Sequence, residues 1–160
     1  MEAGGDVTRD LLGTYSTLMW LTFWILYSFL ILASGVYGSD FVGHSHWEYV
    51  IWLPPFDEIR SLQFWLDIIV NVALYTPFAF LFLQYRNSSA RSAFVMAVLL
   101  GLLLSCTVEL YQVYSHNRRP SPLDIVCNLS GTIIGTFLWE AWRRRARHTT
   151  QRKAPAIPIP

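Results

Sequence analysis

An all-α fold, an integral membrane four-helix bundle with both termini cytoplasmic, is what this sequence predicts, and three observations predict it. The chain of 160 residues is 53% hydrophobic and only 14% charged, with a positive mean hydropathy, which is too oily for an ordinary soluble domain. It holds four mainly apolar runs, each matching the roughly 20 helical residues needed to cross a hydrocarbon core about 30 Å thick. Its Lys and Arg residues divide unevenly between the two sides that four spans define, with nine on the side of the termini (Arg9, Arg86, Arg91, Arg143, Arg144, Arg145, Arg147, Arg152 and Lys153) and three opposite (Arg60, Arg118 and Arg119). Basic residues stay cytoplasmic, so both ends of the chain are placed inside.

Taken in order, residues 1–14 form a cytoplasmic N-terminus and residues 15–34, "YSTLMWLTFWILYSFLILAS", the first helix, within a stretch free of charge between Asp10 and Asp40. Small residues at Ala33 and Gly35 resemble a signal-peptide cleavage site, but the run is long and its leading segment weakly basic, which favours an uncleaved anchor. The second helix, residues 62–85, carries Asp67 and a mid-span Pro77 where a kink is expected, since neighbouring groups can satisfy the freed carbonyl. The third, residues 92–114, is interrupted by Glu109, and the fourth, residues 122–142, opens on Pro122 in its first turn, where the missing N–H matters least. Gly131 and Gly135 in "GTIIG" fit small-residue close packing. Residues 143–160 read as a disordered cytoplasmic tail, basic at "RRRARHTTQRK" and Pro-rich at "APAIPIP"; its cations suit an anionic inner leaflet. The bilayer is the implied partner, nucleic acid is not, and oligomeric state is left open.

Polar residues within the spans carry the functional reading. The predicted orientation brings Asp67 and Asn71 from helix 2, Glu109 and Gln112 from helix 3, and Asp124 and Asn128 from helix 4 to one level near the outer face, with Arg118 and Arg119 in the adjoining loop. Asp67 and Asn71, like Asp124 and Asn128, are four apart, and Ser105, Glu109, Gln112 and His116 run at steps of four, three and four, so each helix has one polar face. An acid at mid-bilayer costs about 2.5–3.5 kcal/mol on insertion scales. These groups should therefore face one another or a watery cleft.

These residues resemble the VanZ-like membrane proteins. The resemblance lies in "DIIVNVALYTPFAFLF" (67–82), "SCTVELYQ" (105–112) and "RRPSPLDIVCNLSGTIIG" (118–135), which are similar to the family's Asn before a Pro-aromatic segment, its Glu-x-x-Gln pair, and its Arg before Asp-x-x-x-Asn-x-x-Gly-x-x-x-Gly. Either Arg118 or Arg119 corresponds to the family arginine. The resemblance implies a multi-pass protein of the bacterial cytoplasmic (inner) membrane that acts at the extracytoplasmic cell envelope. It also implies an association with low-level resistance to teicoplanin, a lipoglycopeptide antibiotic.

The leading function is a site for a lipid-linked or amphiphilic ligand in the outer leaflet, made of Asp67, Asn71, Glu109, Gln112, Arg118, Arg119, Asp124 and Asn128. Arginines grip phosphate or carboxylate in bidentate fashion and amides orient sugar or peptide groups. Should the site be catalytic, Glu109 is the candidate acid or base and Asp124 its charged partner. The alternative is a noncatalytic assembly or structural protein whose polar cluster only stabilises the bundle. A proton-relay transporter lacks the expected repeats. Any cofactor is left unknown. His44, His46 and Glu48 in "HSHWE" alternate along the outer loop, and the helix acids could present hard oxygen ligands; neither spacing is a known metal signature, so no metal is assigned. Cys106 and Cys127 sit in apolar segments as small hydrophobes. Trp47, Trp52 and Phe56 suit an interfacial loop roofing the cleft.

Overall fold

The computed structural model describes residues 3–153. It is all-helical apart from loops, with α1 Ala3–Val36, a 3₁₀ turn Trp47–Tyr49, a short α2 Phe56–Ile59, then α3 Leu62–Arg86, α4 Arg91–Gln112 and α5 Pro122–Lys153. Four of these helices are long and apolar enough to cross a membrane: α1 over Leu12–Val36, α3, α4, and α5 over Pro122–Thr149. The segments joining them are short or locally hydrogen-bonded, so the four run alternately up and down. We call the end where α1 finishes and α5 begins the distal end.

α1 begins at Ala3 and α5 continues to Lys153, both well beyond the apolar runs. For α5 this replaces the expected disorder over residues 143–153 with helix. Arginine and alanine are good helix formers, and Arg144 Nε meets Glu140 Oε1 at 2.9 Å one turn back. The Pro-rich segment 154–160 lies outside the described residues. α3 passes through Pro77 as one helix. It starts where Ser61 Oγ accepts from the Phe64 N–H at 3.1 Å and stops at Asn87, whose left-handed backbone (φ 43°) forms the C-cap.

α3 and α4 form the centre, touching both flanking helices, while among the described residues α1 and α5 do not meet. The α3–α5 interface is the most extensive, and two glycines explain it. A Cβ at Gly131 would collide with the Val72 carbonyl, and one at Gly135 with that of Thr76, so the helix backbones touch directly. Gly101 of α4 makes room for the Thr132 side chain of α5, and Gly35 of α1 for the Val108 side chain of α4. At the end near the termini, Ala79, Phe82, Leu83, Ala93, Ala97 and Trp139 make a buried core. α1 joins more loosely through Trp24, whose ring lies tilted against Phe78 and Phe82, and through Tyr27, whose hydroxyl donates to the Leu74 carbonyl at 2.9 Å. Only 6% of its span is buried by protein, against 39% for α5, so α1 is the helix most given over to lipid.

Candidate ligand-binding cleft

At the distal end the helices enclose a cleft of about 720 Å³, within the ~300–1,000 Å³ usual for small-molecule sites. All eight polar residues singled out in the sequence line it: Asp67 and Asn71 from α3, Glu109 and Gln112 from α4, Arg118 and Arg119 from the α4–α5 connection, and Asp124 and Asn128 from α5. The i, i+4 spacings produce this directly, since each pair presents one helix face.

The acids end on separate donors. Gln63 Nε2 donates to Asp67 Oδ1 at 2.7 Å, one turn earlier on α3. Asn71 Nδ2 donates to Asp124 Oδ1 at 2.7 Å, joining α3 to α5. Glu109, buried in α4, accepts the Ser121 backbone N–H at 2.8 Å through Oε2. That N–H precedes the helix that Pro122 opens, and the Ser121 hydroxyl caps the same turn by accepting from Leu123 N at 3.2 Å. One carboxylate thus fixes where α5 begins. Deeper in, Asn128 Nδ2 donates to Ser105 Oγ at 2.9 Å, while its Oδ1, in a residue only 4% exposed, has no hydrogen-bond partner. A buried acceptor left unpaired is uncommon in a native fold and marks this wall of the cleft as under-satisfied.

The two arginines separate in role. Arg118 is committed to the loop after α1, donating through Nε to Ser39 Oγ at 3.2 Å and through Nη2 to the Tyr37 carbonyl. Arg119 has a side chain 67% exposed and only a loose contact, 3.5 Å, with Glu58 of α2. Gln112 Nε2 donates to the Gly35 carbonyl at 3.2 Å and so also braces α1. Ile31, Ile68, Val70, Leu74 and Val108 continue the lining as apolar wall.

A family model described as VanZ/LLP1 matches residues 18–143. The chain belongs to the VanZ/LLP1 family. The match takes in α1 as well as the three helices whose motifs carried the resemblance, and with four spanning helices it makes this a VanZ-like multi-pass membrane protein. No curated protein and no solved structure matches the chain.

Sequence reasoning missed the partners that hold the polar residues of this VanZ-like cleft from elsewhere in the chain. Ser121 N–H on Glu109, Glu58 beside Arg119, and the Gly35, Tyr37 and Ser39 anchors all depend on where a connection returns. Only Ser121, directly before a helix-opening proline, carried a local signal as a cap. Glu48, in the distal loop, is held below the usual carboxylate range by its own backbone N–H and then by the His46 ring. The aromatic loop residues Trp47, Trp52 and Phe56 are exposed and none of them lines the cleft.

Proposed function

We propose that the cleft binds a lipid-linked or amphiphilic molecule carrying an anionic group, at the extracytoplasmic face of a bacterial cytoplasmic membrane. The observation that carries this reading is the shared lining: acids, amides and arginines line the cleft together with aliphatic side chains. An amphiphile has both chemistries, a polar head for the charged and amide groups and an acyl chain for the aliphatic ones. Arg119 supplies the guanidinium for a phosphate or carboxylate, because Arg118 is spent on the loop after α1. Asn128 Oδ1 awaits a donor such as a hydroxyl or amide of the head group. The extracytoplasmic placement rests on the division of Lys and Arg, with only Arg60, Arg118 and Arg119 at the distal end. A link to teicoplanin resistance is implied by the VanZ resemblance alone, and the same placement would suit action on an envelope component.

A second reading has its own support. The hydrogen bonds Asn71–Asp124, Ser121–Glu109 and Asn128–Ser105 each join two segments of the bundle, so the cluster can serve as structural glue without a ligand. Native mass spectrometry of detergent-purified wild type, Glu109→Gln and Asp124→Asn, with thermal unfolding of the same samples, separates the two. Retained lipid in wild type, lost in variants that melt normally, supports a ligand site and gives the mass of its occupant. No retained lipid, together with variants that melt at markedly lower temperature, leaves the network as a structural element only.

A further inference from the structure

Three histidines from two distant parts of the chain converge at the distal end, apart from the residues of the cleft. His44 and His46 lie in the loop after α1, and His116 lies beyond α4. Their ligand atoms all fall within 4.8 Å of one another. The ring centroids are 4.5 Å apart for His44 and His46, 4.5 Å for His46 and His116, and 5.6 Å for His44 and His116. We propose that these three imidazoles bind a divalent transition-metal cation of the Zn²⁺ class, leaving a fourth coordination position open to water or an anionic oxygen.

The backbone holds the three in register. Val42 N–H donates to the Tyr114 carbonyl at 2.8 Å, His46 N–H to that of Val113 at 2.8 Å, and His116 N–H to that of Asp40 at 3.2 Å. Phe41 and Ser115 form an antiparallel bridge between the same two segments. The loop bearing two ligands is therefore laced to the connection bearing the third before any cation arrives.

A second observation points to a ligand. His46 is 6% exposed, and its Nε2 is buried with no hydrogen-bond partner. Its Nδ1 lies 2.8 Å from Glu48 Oε1, so with the proton on that side, Nε2 presents a lone pair. A doubly protonated ring would instead bury an N–H donor with nothing to receive it. Stacking on Tyr49, 4.9 Å away and 7° from parallel, accounts for the position of the ring but not for its orphaned nitrogen. A carboxylate behind the distal nitrogen is the usual outer partner of a metal-bound histidine, fixing tautomer and orientation. Asp40 Oδ2 lies 3.7 Å from His116 Nδ1, too far for a hydrogen bond but close enough for an ionic contact with a charged ring.

Neutral imidazole suits zinc, copper and nickel, and three protein ligands with an open fourth position form a known zinc geometry. Tetrahedral Zn–N bonds of about 2.0–2.1 Å put the nitrogens about 3.3 Å apart. His44 and His116 are exposed and free to close that gap by side-chain rotation, while buried His46 stays fixed. A bound cation would then clip the loop after α1 to the segment that leads into Arg118, Arg119 and Ser121.

The test uses untagged full-length protein in detergent, stripped with a chelator and titrated with Zn²⁺, with bound metal counted by mass spectrometry and Co²⁺ as an absorbing probe. We expect one metal per chain, a four-coordinate Co²⁺ spectrum, and a rise in melting temperature on adding Zn²⁺. His44→Ala, His46→Ala and His116→Ala should each weaken binding at least about tenfold, and Glu48→Gln by about 10–100-fold. Asp124→Asn, in the cleft, should bind as wild type does. A wild type that takes up less than one Zn²⁺ per chain, or full affinity in any one of the three histidine variants, overturns the assignment. His44 is exposed, so His44→Ala keeps the test decisive if His46→Ala fails to fold.

Discussion

At the end near the termini, α3, α4 and α5 close around Trp139 with a core of alanine, phenylalanine and leucine; at the distal end the same three helices leave a cleft of about 720 Å³ lined by acids and amides. The first region gains its stability from close contact, because lipid tails are as apolar as the side chains and association rests on packing and helix–helix hydrogen bonds. The second is joined by individual hydrogen bonds between helices, which in membranes average only about 0.6 kcal/mol each. The difference teaches which half can be changed without unfolding the protein. A bundle clamped at one end can leave polar groups incompletely paired at the other.

Truncation at the clamped end should have the largest effect. Trp139 is 1% exposed, and its Nε1 donates to Gln84 Oε1 at 2.9 Å. Trp139→Ala should cost about 3 kcal/mol, the low end of the usual range for a buried aromatic, since the unfolded reference is itself in lipid. Thermal unfolding in detergent measures the loss, and lipid retained per folded molecule should not change. Next comes Gly135→Val, which drives a side chain into the Thr76 carbonyl and Ala79 Cβ and should cost about 2 kcal/mol by overpacking. If either variant melts as wild type does, the clamp is not where the structure puts it.

How much of this contrast was legible beforehand follows the range of the interactions. The helices α3 and α4 and the start of α5 were readable because apolar run length and a first-turn proline are local signals. Hydropathy marks the part of a helix that meets lipid, however, and not where the helix ends. That is why α1 starts twelve residues before the expected Tyr15 and α5 outlasts Trp142. The phase of Asp67 with Asn71 and of Asp124 with Asn128 is likewise local, and it sufficed to gather them on one cleft. Contacts made by returning loops were not legible: Arg118 and Arg119 look alike as neighbours in sequence, and only the approach of Tyr37, Ser39 and Glu58 distinguishes them. "HSHWE" offered two of three converging histidines, and nothing near it named His116 as the third.

Substitutions in the cleft sharpen the comparison from the other side. Glu109→Gln keeps an oxygen to accept the Ser121 N–H, so stability should fall by less than about 1 kcal/mol. The carboxyl group that faces the head group is replaced by an amide, and retention of the amphiphile should fall about tenfold, as read by native mass spectrometry. A variant that instead unfolds like Trp139→Ala would show that the distal network clamps the bundle too.

The smallest stability effect should come from Arg119→Ala. Its contact with Glu58 is long, 3.5 Å, and the arginine side chain is 67% exposed, conditions under which an ion pair contributes about 0–1 kcal/mol. The melting temperature should stay close to wild type. Retention of the amphiphile should nonetheless fall, because a loosely paired guanidinium at the cleft is the group best placed to grip a phosphate or carboxylate. Arg118→Ala makes the paired control: it releases Tyr37 and Ser39, and with them the loop after α1, from the α4–α5 connection, so it should lower the melting temperature more than Arg119→Ala does. Reversal of that order would assign the anion to Arg118 and make Arg119 the bystander.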